Sequence, residues 1–279
     1  MMHYFRKGGF SIYENPLGIV YNPHSIRMSM ERLCSGEPFK KNDLFYHLEQ
    51  WHSYFHHSDF SADTEDLCLS NINSYLREGY EFLRKSNFLI LTLGSAQVYY
   101  HNELGKIVNN CHKLPANHFT QRMLSVEEVR DNLAKGLSGI LEVNPKIIIL
   151  ITISPVRHGK NHFHENNLSK ATLLLAAESI IAENENVFYF PAYEIVMDEL
   201  RDYRFYAEDM LHPSKTAANY VWEKFSQACF AEETLQKIQE ENKLQKMKSH
   251  RVRNLNSEAG KQHLQKIADL EERLHYKSC

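Results

Sequence analysis

The chain has 279 residues and no apolar run of the ~18 residues that a membrane span requires. The charged amino terminus leads into no apolar segment, so nothing reads as a secretory signal. Five cysteines (Cys34, Cys68, Cys111, Cys229 and Cys279) are scattered, odd in number and without metal-ligand spacing. They argue against a disulfide framework and for a reducing, cytoplasmic setting. The formal charge of −3 gives no electrostatic reason to expect nucleic acid or an anionic membrane as a partner. There is no internal repeat, no low-complexity run and no Gly-x-Ser-x-Gly nucleophile elbow. What the chain does have is apolar content of 43%, enough for a sizeable core, and sixteen histidines, several of them beside aromatic residues.

Three continuous apolar runs stand out, at residues 88–93, 146–153 and 186–190, ended by Gly94, by Ser154-Pro155 and by Pro191. Such runs predict strands buried on both faces. Helical periodicity appears between them. Residues 24–33 carry Ile26, Met30 and Leu33 on one face, with Gly36 beyond. In 64–85 Thr64 caps a stripe of Leu67, Ile72, Leu76, Tyr80 and Leu83. The run 125–143 opens on a capping box, Ser125 to Glu128, and a further helix is expected over 167–183. Residues 10–13 read as a short strand, and the aromatic, histidine-rich stretch 44–60 as a loop or small hairpin. Strands alternating with helices predict a parallel sheet with helices on both faces, its ligands bound at the carboxyl ends of the strands. From about residue 231 the composition turns to Glu, Lys, Gln and Asn, which divides the chain into an α/β domain, 1–230, and a polar helical or partly disordered tail, 231–279. Ile267, Leu270 and Leu274 leave two readings of that tail, a solvated appendage or a helix that forms a homodimer.

The candidates for chemistry follow the strands. Asp209 and His212 lie three positions apart, a spacing at which a carboxylate can fix an imidazole in one tautomer, as the base of a serine hydrolase requires. The competing reading is a plain helix start at Pro213-Ser214. The loop Asn15-Pro16-Leu17-Gly18 could aim amides at an anion or be an ordinary turn. Gly94 permits the backbone approach of an oxyanion hole, or simply ends a strand, and Ser95 beside it lacks an elbow. Cys111 next to His112 invites a thiol-hydrolase reading, although sequence neighbours seldom point together. Arg157 and His158 could contact a substrate carboxylate or acyl oxygen, or be surface residues. His162 and His164 match no zinc pattern, and no cofactor or metal is expected.

Taken in order, eight stretches resemble the GSCFA family, a branch of the SGNH/GDSL-like hydrolases. They are NPLGIVYNPHSI (15–26), EQWHSYFHHSDFS (49–61), ILTLGSAQVY (90–99), NCHKLP (110–115), SVEEV (125–129), ISPVRH (153–158), LSKATLLLA (168–176) and DELRDYRFYAEDMLHPS (198–214). Coverage is nearly continuous from about residue 8 to 230. The resemblance implies a three-layer α/β/α sandwich around a parallel sheet in flavodoxin-like order. It puts Asp209 and His212 in the acid and base positions and makes Gly18 and Gly94 oxyanion donors. The wider superfamily carries an asparagine two positions after the glycine of its third block; this chain has Ala96 there, and Asn110 or His112 is left to supply the donor. The Gly-Ser-Cys-Phe-Ala segment that bears the family's expected nucleophile does not occur in the chain, and the first strand is missing with it. The expectation is that the native protein starts upstream of Met1.

The resulting expectation is a serine esterase or acyltransferase acting on the O-linked acyl group of a small molecule or glycan, inactive in this form. Asn110, His112, Arg157 and His158 are candidate substrate contacts. A binding module that keeps the hydrolase cleft, and a thiol hydrolase using Cys111, are the alternatives.

Overall fold

A computed structural model describes residues 2–158, 162–250 and 257–276. The chain forms two compact units, one of residues 13–214 and one joining 1–12 to 215–279. The sequence-based division at 230 therefore falls inside the second unit.

In the larger unit three strands make a parallel sheet in the order β3 (Phe88–Leu93), β7 (Ile148–Ile153), β8 (Val187–Phe190). The register pairs Phe88 with Ile148 and Ile149 with Val187. Helices α2 (Pro23–Ser35), α3 (Glu65–Leu83), α4 (Val126–Val143) and α5 (Phe163–Glu183) flank it, so the chain is an α/β protein with a helix-flanked parallel sheet. The central strand is buried along most of its length, with Ile149, Ile151 and Ile153 wholly enclosed, Leu150 half-buried and Ile148 at its start exposed. The outer strand is not. Phe88 is 64% exposed and Thr92 faces solvent, because among the described residues β3 has a single neighbouring strand and its apolar run is only half covered.

The local signals explain the helices. Asn22 caps α2, its side chain taking the Ser25 amide at 2.8 Å, and Gly36 ends it in the left-handed conformation. Thr64 caps α3, and Ser125 with Glu128 completes the capping box of α4. Helix α5 begins four residues before the periodic pattern suggests. On α3 the buried stripe is Cys68, Ile72, Leu76 and Leu83, while Leu67 is half exposed; a buried thiol packs as a small apolar group, and the stripe is one position out of register at its start. Helices α2 and α4 cross where Gly136 leaves room for the Met30 methyl group.

Two antiparallel pieces accompany the main sheet. The hairpin β1 (Leu44–His47) and β2 (Gln50–Ser53) lies in the stretch expected to hold one. A second sheet, in the order β5 (Lys106–Val108), β4 (Gln97–His101), β6 (Phe119–Met123), has no counterpart in the sequence reading. After β8, a short helical turn α6 (Ala192–Glu194) runs into a π-helical turn, Ile195–Leu200.

The smaller unit contains α1 (Met2–Lys7), α7 (Lys215–Cys229), α8 (Glu232–Ser249) and α9 (Glu258–Tyr276). Residues 10–13 form no strand. The Phe10 ring stacks on Phe230 and meets Phe5 edge to face, so this segment is held by an aromatic cluster and not by a ladder. Tyr4 and Phe5 both contact Trp222. The stripe Leu270 and Leu274 packs on Leu244 of α8, with Ile267 at its margin, so the surface that suggested a dimer is covered within the chain. Among the described residues no helix is long and apolar enough to cross a membrane.

Candidate active site

The loop after β8 folds back on itself and carries the acid and the histidine. Tyr206 forms a β-bridge with Pro213, and the Ala207 amide donates to the His212 carbonyl at 2.7 Å. Met210 turns the tip with φ 57°, a left-handed conformation uncommon for a side chain of its size. That turn brings the carboxylate over its own loop. Asp209 Oδ1 accepts the Leu211 and His212 amides at 2.9 Å each, and Oδ2 lies 2.6 Å from His212 Nδ1. These contacts, led by the His212 and Leu211 amides, hold the Asp209 carboxyl down at about 2. An ionised Asp209 makes Nδ1 the protonated nitrogen and leaves Nε2 as the acceptor. Nε2 has no hydrogen-bond partner among the described residues, and the His212 side chain is 61% exposed. Asp209 and His212 are thus hydrogen-bonded to each other, with Nε2 open.

The segment after β7 connects this loop to the strand ends. The Arg157 amide donates to the Leu211 carbonyl at 3.2 Å, and His158 Nε2 lies 3.4 Å from the Gly94 carbonyl. Burial, with the nearby Lys170 charge, lowers the His158 pKa. The Arg157 guanidinium sits 4.3 Å from the centre of the Tyr206 ring.

The two glycines are required by their surroundings. Gly18 has φ +85°, and a Cβ there would come within 2.4 Å of His57 Cβ. At Gly94 a Cβ would meet the Tyr21 carbonyl oxygen at 3.1 Å. Neither amide is open, however. Gly18 N–H donates to Asn15 O at 2.7 Å, and the Gly94 and Ser95 amides both donate to Tyr21 O, at 2.8 and 3.1 Å. Each amide has one proton, so an oxyanion could use either only after the present carbonyl withdraws. As positioned, these are turn-closing amides.

Ser95 is 3% exposed; its Oγ accepts the Gln97 amide and lies 3.3 Å from Ser169 Oγ, which in turn accepts the Ala96 amide. It is a buried hydroxyl in a closed network. Asn110 and His112 are engaged with their own surroundings. Asn110 Oδ1 accepts the His112 amide, and the Asn110 amide donates to the Tyr54 carbonyl. His112 is 6% exposed, donates from Nε2 to Ser53 O at 2.8 Å, and is held neutral by burial, its pKa lowered to about 4. Its Nδ1 is enclosed without a partner. His112 therefore packs among Phe45, His52 and Tyr54 and gives Cys111 no base. Cys111 lies within electrostatic reach of Tyr54 and Tyr99. Among the described residues no three His, Cys, Asp or Glu side chains converge on a metal position.

One residue of this region was not singled out from the sequence. Lys170 is 1% exposed, and its Nζ donates to the carbonyls of Gly94 and Ser154, both at 2.6 Å. These are the residues that follow β3 and β7, so one ammonium ties two strand ends together. Desolvation lowers its pKa to about 8. The available signal was its place on the apolar face of α5, at helical spacing from Leu173 and Ala177.

The sequence model of the GSCFA family matches residues 1–225, a span that ends within α7 and leaves α8 and α9 outside. No curated protein and no solved structure matches the chain.

Proposed function

We propose, from the premise that this chain belongs to the GSCFA family, that it carries the acid–base half of a site that cleaves or transfers an O-linked acyl group. The observation that supports this most is the Asp209–His212 pair, with Nδ1 held by the carboxylate at 2.6 Å and Nε2 unoccupied. In that arrangement Nε2 takes the proton of an attacking hydroxyl while Asp209 stabilises the imidazolium. The same nitrogen then returns the proton to the departing alkoxide. The attacking group in this reading is a serine, of the kind the family resemblance implies; no Gly-Ser-Cys segment occurs in these residues. Gly18 and Gly94 act as oxyanion donors only once Asn15 and Tyr21 release their amides.

A second reading has its own support. The occupied Gly18 and Gly94 amides fit a module that binds an acylated ligand without cleaving it. Fluorophosphonate labelling of the protein isolated from its natural source, with Asp209→Asn and His212→Ala variants made at the same locus, separates the two. Covalent labelling that both substitutions abolish supports the esterase or acyltransferase. A protein that stays unlabelled and leaves p-nitrophenyl acetate intact supports the binding module.

A further inference from the structure

Beside the histidine loop lies a cleft with no role in the acid–base pair. Its cavity of about 160 Å³ is lined by Arg157, Phe163, Asn166, Asn167, Tyr193 and Tyr203, among others. A second cavity of about 130 Å³ shares Arg157 and Tyr203 and adds Tyr206. The larger one has room for one six-membered ring; a cavity of roughly 150 Å³ holds benzene.

The walls define what that ring should carry. Arg157 stands 4.3 Å from the Tyr206 ring centre and 5.8 Å from those of Phe163 and Tyr203. Aromatic rings around a guanidinium attract its charge but accept none of its N–H groups in the plane of the fork. Among the described residues that fork has neither a carboxylate nor any other hydrogen-bond acceptor. Asp202, the acid in the adjoining cavity wall, is engaged by the side chain and the amide of Arg204. A half-buried guanidinium without an acceptor matches a planar anion from outside. The aromatic faces are open as well: Phe163 is 69% and Tyr203 63% exposed. They suit the C–H face of a sugar, with the exposed Asn167 amide within the same wall for a hydroxyl group.

We propose that this cleft is a subsite for an acidic sugar, a six-membered ring whose carboxylate Arg157 receives edge-on. Its place next to an ester rests on the reading above, whereas the binding itself does not. Backbone contacts join the cleft to both sides of His212: Arg157 N–H to Leu211 O, and Tyr206 to Pro213.

The test is an NMR titration with D-glucuronate, D-glucose and benzoate against the full chain and its Arg157→Gln, Asn167→Ala and His212→Ala variants. Glucuronate should bind at least tenfold tighter than glucose or benzoate. Arg157→Gln should remove that preference, Asn167→Ala should weaken glucuronate several-fold, and His212→Ala should leave it unchanged. Glucuronate binding no tighter than glucose overturns the anion assignment, and benzoate binding equally well overturns the sugar. Should Arg157→Gln fail to fold, an Asn167→Ala variant that binds like the parent overturns the cleft. Loss of ester chemistry with glucuronate binding intact removes the catalytic reading and leaves the subsite standing.

Discussion

The Asp209 carboxylate grips His212 at two points, the ring Nδ1 at 2.6 Å through one oxygen and the backbone amide at 2.9 Å through the other. One side chain therefore sets both the tautomer of the imidazole and the backbone turn that presents it. Replacing Asp209 by Asn keeps the shape and removes the charge. The expected result is a fall of about 10³–10⁴-fold in ester turnover by the natural protein. The melting temperature should hardly move, since the pair is exposed. Steady-state kinetics beside a thermal melt checks both. A similar loss of activity and fold together would show that the pair is only a structural turn.

Lys170 makes stability depend on alkaline pH. Its folded pKa, about 8, is below the ordinary 10.5, so between those values the unfolded chain binds more protons than the folded one. Stability should rise as pH increases from 8 to 10.5, by an amount on the order of 3 kcal/mol for this group alone. Lys170→Met should flatten that rise while leaving the Gly94 and Ser154 carbonyls without their donor, at about 1–3 kcal/mol each if they stay dry. Urea unfolding at pH 7.5, 9 and 10 gives both slopes. Equal slopes would mean that the ammonium is solvated.

The buried histidines act on the acid side. Burial lowers His56 from 6.5 to about 3 and His112 from 6.5 to about 4. The unfolded chain takes up protons near pH 6.5 that the folded one refuses, so stability should fall as pH drops from 6.5 towards 4. His56→Phe preserves the ring contacts with Phe39 and Phe60 and removes one titrating group. Its unfolding free energy should depend less steeply on pH between 6.5 and 4.5. A variant as steep as the parent would locate the acid sensitivity elsewhere.

The two glycines should respond unequally to alanine. Gly18→Ala meets both a positive φ and His57 Cβ at 2.4 Å, whereas Gly94→Ala meets Tyr21 at 3.1 Å without a φ penalty. The backbone strain at Gly18 alone is worth about 1–3 kcal/mol. Urea unfolding of both variants should rank Gly18→Ala as clearly the more damaging.

The legible parts of the sequence were those governed by local rules. Ser125 and Glu128 cap their helix, and the apolar run 148–153 is a strand buried along most of its length, because capping and burial are both written in neighbouring residues. The contact between Asp209 and His212 was legible for the same reason. The sheet of β4, β5 and β6 was not: its exposed Tyr99 and Tyr100 and its polar alternation weaken the strand signal. The present partners of the Gly18 and Gly94 amides were not legible, because sequence shows where a glycine is needed but not which carbonyl accepts its N–H. Arg157 meets Tyr203 and Tyr206 only through folding, so its aromatic surround had no local pattern.

The hydrogen bond from Tyr4 to Asn219 spans 215 positions. During synthesis residues 1–12 leave the ribosome long before α7 exists to receive them. Residues 13–214 have time to fold while residues 1–12 wait with Phe5 and Phe10 uncovered. Phe5 and Phe10 are thus open to chaperones and to aggregation in the nascent chain until Trp222 and Phe230 emerge.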